Sequence, residues 1–142
     1  MLIRCAEDDD LDAIVELLEA CGLPSDDVGE SPIDFLLAVD GGQLAAVAGL
    51  ERCADVALLR SVAVAADARG LALARRLCSG LLEDADAAGC RAVYLLTLDA
   101  ADYFTPLGFT AVARETLPQA IRDSAEFSRL CPQQALVMRR GG

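Results

Sequence analysis

The stretch that most restricts this chain runs from 61 to 77, Ser-Val-Ala-Val-Ala-Ala-Asp-Ala-Arg-Gly-Leu-Ala-Leu-Ala-Arg-Arg-Leu. A short β-branched run ends in a compact turn, and an Arg-Gly pair then opens an amphipathic helix. The first amides of such a helix have no intrahelical partner. Together with the helix dipole they favour anionic oxygens, and nearby arginines add charge where the dipole alone contributes about 0.3–2 kcal/mol. The segment predicts a pyrophosphate cradle; an ordinary strand–turn–helix is the competing reading.

The rest of the chain supplies a layered αβ frame around that segment. Residues 2–5 read as a strand, and Asp8-Asp9-Asp10 opens a helix with Leu11, Ile14, Val15, Leu17 and Leu18 on its apolar face, closed by Gly22 and Pro24. A polar connection over 26–32 leads to strands at 35–39, 43–51 and 57–64, the first two joined by the Asp40-Gly41-Gly42 turn. The pattern predicts a helix over 70–88, an almost wholly apolar strand over 92–97 and a short helix over 100–107 that stops at Gly108. A strand over 109–113, a helix over 118–130 and a last strand over 135–138 complete the order. Helix–strand alternation after residue 64 predicts one parallel pairing, between the strand ending at Val64 and that starting at Ala92. The fold class is therefore α/β (α+β), a single domain over 1–142 with a central mixed, mostly antiparallel sheet and helices on both faces.

Composition narrows the chemistry. With 54% hydrophobic residues the 142-residue chain can bury a core, and no run approaches the roughly 20 apolar residues of a membrane span. The acidic start of the chain lacks the apolar run of a signal peptide, which predicts a cytoplasmic protein. A net charge of −11 argues against nucleic acid and anionic lipid as partners. Histidine and lysine are absent, which removes Ser-His-Asp and Cys-His catalysis. Six scattered cysteines without a C-x-x-C pair predict no metal site and read as buried reduced thiols, with contact to a soft metalloid as the alternative.

The order of elements, Arg69-Gly70-Leu71-Ala72-Leu73-Ala74 after a strand, and Tyr103-Phe104-Thr105-Pro106-Leu107-Gly108-Phe109 downstream resemble the GNAT superfamily of acetyl-CoA-dependent N-acetyltransferases. That family writes its cradle Gln/Arg-x-x-Gly-x-Gly/Ala. Arg69 and Ala74 match, whereas Ala72 replaces the central glycine, a change expected to cost little if Ala72 lies in the first helical turn at negative φ. The stretch 94–104 and the tail 118–138 are similar to the arsenic-resistance-associated (ArsN-type) acetyltransferases, and the strand end at Thr97 is similar to N-acetylglutamate synthases. The resemblance implies acetyl-CoA as cosubstrate and a small amino acid or amino-acid-like toxin, glutamate-like or arsenical, as acceptor. A non-catalytic CoA-binding module of the same fold is the alternative, and a homodimer is compatible with either.

The resemblance also distributes roles. Helix amides over 70–75 with the Arg69 and Arg75 side chains would hold the pyrophosphate, so the cofactor-binding set is Val62, Ala63, Val64, Arg69, Gly70, Leu71, Ala72, Leu73, Ala74 and Arg75. Main-chain groups at Val62 and Val64 would pair with the pantetheine arm, and an amide near Val62 would polarise the thioester carbonyl. Arg60, inside an apolar strand, needs a partner. It would either clamp an acceptor carboxylate, with Ser61 and Thr97 adding hydroxyl bonds, or pair with Glu51 across the neighbouring strand. Without histidine the general base must be a carboxylate, with Glu51 the candidate. The family's acid tyrosine falls at Phe104, leaving Tyr103 as the remaining phenol. Arg122 and Arg129 share a helical face and would either attract an acidic acceptor or neutralise neighbouring acids.

Overall fold

A computed structural model describes residues 1–69, 72–127 and 134–141. Seven strands form one sheet in the order β1-β2-β3-β4-β5-β7-β6. They are β1 Leu2–Cys5, β2 Ile33–Asp40, β3 Gln43–Cys53, β4 Val56–Val64, β5 Ala92–Thr97, β6 Thr110–Val112 and β7 Leu136–Gly141. All neighbours are antiparallel except β4 and β5, which run parallel as the crossover predicted. That crossover carries α2 (Leu73–Ala87); α1 (Leu11–Ala20), α3 (Ala101–Phe104) and α4 (Gln119–Arg122) are further α-helices.

The α2 face of the sheet packs Leu77, Cys78, Leu81 and Ala85 onto Ala46, Ala48, Leu50, Ala57 and Leu59. On the other face α1 lays Ile14 and Leu18 against Phe35, Leu37, Val47 and Ala63. Further along that same face, Leu117 and Ile121 cover Cys53, Leu58, Tyr94 and Val137. A seam between these two lids lies over the middle of β3 and β4. Gly49, opposite Arg60 in the ladder, lets the seam close: a Cβ there would meet Ile33 at 2.8 Å and Phe35 at 3.1 Å.

Two helix boundaries differ from the sequence reading. The helix expected over 118–130 ends at Arg122, because Ser124 Oγ donates to the Ile121 carbonyl at 2.6 Å and accepts from the Phe127 amide at 3.3 Å. A hydroxyl that serves both groups offers the backbone an alternative to the helical ladder. The helix expected over 70–88 starts at Leu73, and Gly70 and Leu71 lie outside the described residues, as do Arg129 and Cys131. Among the described residues no helix is long and apolar enough to cross a membrane.

Candidate active site

The β3–β4 ladder slips by one residue between the pairs Gly49↔Arg60 and Val47↔Ala63, and Ser61 takes φ +57°. Ser61 and Val62 together therefore oppose Ala48, a β-bulge that bends and twists the strand. The parallel register with β5 reaches only Ala57↔Val93 and Leu58↔Tyr94. Beyond the bulge β4 diverges from β5, and its edge from 62 to 64 faces a wedge between the strands. The bulge also shifts parity, so that Val62 and Val64 pack on the α2 side together with Leu59, while Ala63 turns to the α1 side. The sequence reading treated 57–64 as a regular strand and missed this extra residue.

At the end of β4 a 3₁₀ turn over Ala66–Ala68 leads towards α2. The first intrahelical bond recorded runs from the Arg76 amide to the Ala72 carbonyl at 3.2 Å. Among the described residues, the amides of Leu73, Ala74 and Arg75 thus precede the first internal donor of the helix. Arg69, Arg75 and Arg76 are exposed, and none has an acidic partner among the described residues. Three uncompensated guanidinium groups and a free helix start occupy one end of the wedge.

Ala72 corrects the sequence reading. It caps α2 in the left-handed region at φ +58° and ψ +26°, not within the first turn. An L residue held there carries about 1–2 kcal/mol of strain, and the strain sits at the start of α2. Ala72→Gly is expected to raise stability by about 0.5–1 kcal/mol, the relief being offset in part by the extra freedom of glycine in the unfolded chain. Urea denaturation of the two proteins at one pH reads this directly.

On the α1 side of the bulge four charged side chains are buried together: Asp27, Arg60, Glu51 and Glu126 are 0%, 3%, 5% and 8% exposed. Arg60 grips Asp27 with both terminal nitrogens at 2.6 Å, and its Nη1 also donates to Glu51 Oε1 at 2.8 Å. Its Nε donates to Ser61 Oγ at 3.2 Å and lies 4.0 Å from Glu126 Oε1. Ser31 donates to Asp27 Oδ2 at 2.7 Å. Burial alone would lower the guanidinium pKa, but Asp27, Glu126 and Glu51 outweigh it and raise it. Burial likewise pushes Asp27 up, and the bonds from Arg60 and Ser31 reverse that and hold it below the usual carboxylate range.

The pairing of Arg60 with Glu51 weighed from the sequence is thus present, and the guanidinium spends its donors inside the protein. Sequence reasoning missed Asp27 and Glu126. The first lay in a connection read only as polar, and the second lay among acids assigned to Arg122 and Arg129. Arg122 instead donates to the carbonyls of Leu117 and Arg114.

Thr97, at the end of β5, accepts the Ala100 amide at 3.1 Å and so starts α3. Phe104 is buried edge-on to Phe109 at 6.0 Å, whereas Tyr103 is 41% exposed and feels the charge of Arg75. Partial burial raises the Tyr103 phenol above its ordinary value, so it keeps its proton at neutral pH. Burial pushes the thiols of Cys53 and Cys78 up to about 11 and about 12, which leaves them as inert apolar groups. Among the described residues no three His, Cys, Asp or Glu side chains group as metal ligands. A groove of about 650 Å³ opens between Glu7, Ile33 and Asp84; of the groups around Arg60 it is lined by Ser31 alone.

Residues 4–109 match the acetyltransferase (GNAT) family. An acetyltransferase of that family from Staphylococcus aureus Mu50 superposes with a TM-score of 0.78 at 17% identity, covering 98% of each chain. N-acetylglutamate synthase from Neisseria gonorrhoeae, complexed with coenzyme A and N-acetyl-glutamate, gives 0.80 at 21% identity over 99% of this chain. The present chain spans 35% of that enzyme. The Mycobacterium tuberculosis protein Rv2747, in complex with CoA, gives 0.79 at 21% identity over 100% of this chain and 99% of its own.

Proposed function

Given that the chain belongs to the acetyltransferase (GNAT) family, we propose that this acetyl-CoA-dependent N-acetyltransferase modifies the amine of a small amino acid or amino-acid-like compound. The observation that carries the reading is the wedge where β4 leaves β5, with unpaired β4 edge along one side and the free helix start with three unpaired arginines at its end. That set fits the cosubstrate. The amides of Leu73, Ala74 and Arg75, with the side chains of Arg69 and Arg75, suit a pyrophosphate. The main chain at Val62, Ala63 and Val64 suits the amide-bearing pantetheine arm, which would add to the sheet as a strand does. An amide near Val62 would stabilise the oxyanion that forms on the thioester carbon.

The acceptor meets the thioester on the α1 side of the sheet, near Arg60, Ser61, Glu51 and Thr97. A glutamate-like or arsenical amino acid is the acceptor that the ArsN-type resemblance suggests, and N-acetylglutamate synthase is similar in fold. Since Arg60 is fully buried and gives four of its five N–H donors to Asp27, Glu51 and Ser61, an acceptor carboxylate would be held by other groups at the mouth. Tyr103, which retains its proton, is the candidate to protonate the leaving thiolate. A thiol of pKa about 8–9 also leaves unaided at modest cost. Five described cysteines are free, which suits a single-domain enzyme working in the reducing cytoplasm.

Calorimetry with acetyl-CoA is expected to show binding, weakened at least tenfold in the double variant Arg69→Ala, Arg75→Ala, about 1.4 kcal/mol. No binding by the wild-type protein ends the reading. Release of CoA across a panel of amino acids, glutamate and its phosphono- and arseno-analogues included, identifies the acceptor.

A further inference from the structure

Among the described residues, the buried cluster on the α1 side holds more negative charge than the one cation in it can balance. Asp27 from the connection before β2, Glu51 from β3 and Glu126 from the segment after α4 converge on Arg60 of β4. With every carboxyl ionised the group carries a net charge of −2, in a place where isolated charge is costly. Asp27 is satisfied by two bonds from Arg60 and one from Ser31. Glu51 is tied by Oε1. Glu126 differs: its Oε1 stands 4.0 Å from Arg60 Nε, and its Oε2 is buried with no hydrogen-bond partner among the described residues. Buried polar atoms are nearly always paired, so an orphan acceptor oxygen signals a donor yet to arrive. Cys53 adjoins the same group and stays a neutral thiol.

An amine acceptor reaches an enzyme at neutral pH as an ammonium ion. It is drawn to excess negative charge, and it must lose one proton before its nitrogen can attack. The seam between the two lids brings the orphan oxygen to the α1 side of the bulge, the side where the thioester would emerge from between β4 and β5. We propose that Glu126 is the general base of the acetyl transfer, receiving the acceptor's ammonium proton on Oε2 through a relaying water. The proposal rests on the acetyltransferase reading.

The step balances. The N–H pair left by the departing proton becomes the nucleophile, and a C–N bond forms at the thioester carbonyl. The C–S bond then breaks, and its electron pair leaves on the CoA sulfur, which takes a proton from Tyr103 or solvent, while the nitrogen sheds its second proton to solvent to give the neutral amide. Solvent restores the Tyr103 proton where that residue has donated it. Glu126 returns its proton to water between turnovers. Asp27, Glu51 and Arg60 act as a fixed frame. Burial, and the charges of Asp27 and Glu51, raise the Glu126 carboxyl to about 7 against the pull of Arg60, which suits a base operating near neutrality.

The test uses the full chain with acetyl-CoA and the amino-acid panel. For the wild-type protein, acetyl transfer is expected to rise through pH about 7, separately from the later rise due to the amine's own ionisation. Glu126→Gln abolishes the lower rise and reduces kcat/KM for the acceptor about 10²-fold or more, with the KM for acetyl-CoA unchanged. Glu51→Gln keeps the lower rise. A Glu126→Gln enzyme with the wild-type pH profile overturns the proposal, as does loss of the rise in Glu51→Gln alone. Infrared titration of the wild-type protein is an independent readout. A carbonyl band of a neutral buried carboxyl, present at pH 6, is expected to fade through pH 7 and to be missing from Glu126→Gln; a wild-type spectrum without it refutes the proposal even if that variant fails to fold. Lack of turnover on the whole panel counts against the acceptor class, and the infrared result still decides the state of Glu126.

Discussion

Arg60→Met is expected to destabilise the domain by about 3–5 kcal/mol, the usual cost of removing one partner from a buried ion pair. Against a total of about 5–15 kcal/mol for a domain, this unfolds a sizeable fraction of the molecules. The reason is electrostatic: the methionine fills much of the volume but leaves Asp27, Glu51 and Glu126 buried with no cation among them. Those carboxyls then take up protons, so the loss should be smallest near pH 5 and largest near pH 8. Adding Asp27→Asn and Glu51→Gln should recover part of the stability, since neutral amides do not need the guanidinium. Urea denaturation at both pH values checks all three proteins. A loss below about 1 kcal/mol, equal at the two pH values, would contradict this account of the cluster.

The second large effect concerns stability against pH. The folded protein holds the Glu126 proton up to pH about 7, whereas the unfolded chain releases it near the ordinary value of 4.5. Between those values the folded state binds the extra proton, so stability falls as pH rises. The contribution is fully present below the unfolded value and is gone once the pH has passed about 7. At about 1.4 kcal/mol per pH unit, the fall amounts to a few kcal/mol. Asp27 works the other way, because its lowered carboxyl contributes stability that is lost in acid. Glu126→Gln should flatten the decline and leave the variant more stable than wild type at pH 8. Unfolding curves at pH 5, 6, 7 and 8 test the slope; a wild-type stability that climbs from pH 5 to 8 has the wrong sign.

The frame of this fold was readable because local signals agreed with global ones. Periodic leucines over 73–82, the Gly89 stop and the apolar run of β5 each reflect burial that the chain itself encodes. The single parallel pairing followed from a helix between two strands. Arg60 was recognised as a group needing a partner, and Glu51 lay within reach across one ladder.

What stayed hidden depends on contacts between distant segments. Asp27 is 33 residues from Arg60, and nothing in its polar neighbourhood distinguishes it from Asp26. Glu126 acquires its character only from burial against β3 and β4. The bulge leaves no composition mark, since Ser61 is an unremarkable strand residue until its φ is known. Ala72 misled for the opposite reason: alanine favours helices, yet here it caps α2 at positive φ.

A strand has two sides, and counting by twos decides which residues share one. The additional residue at Ser61 resets that count halfway along β4, because it shares one opposing residue with Val62; drawn into regular pairing it would turn Val62 and Val64 towards Arg60 and send Ala63 beneath α2. Charge frame and valine wall would then compete for the same side of a single ribbon. The left-handed backbone of Ser61 is what keeps the two apart.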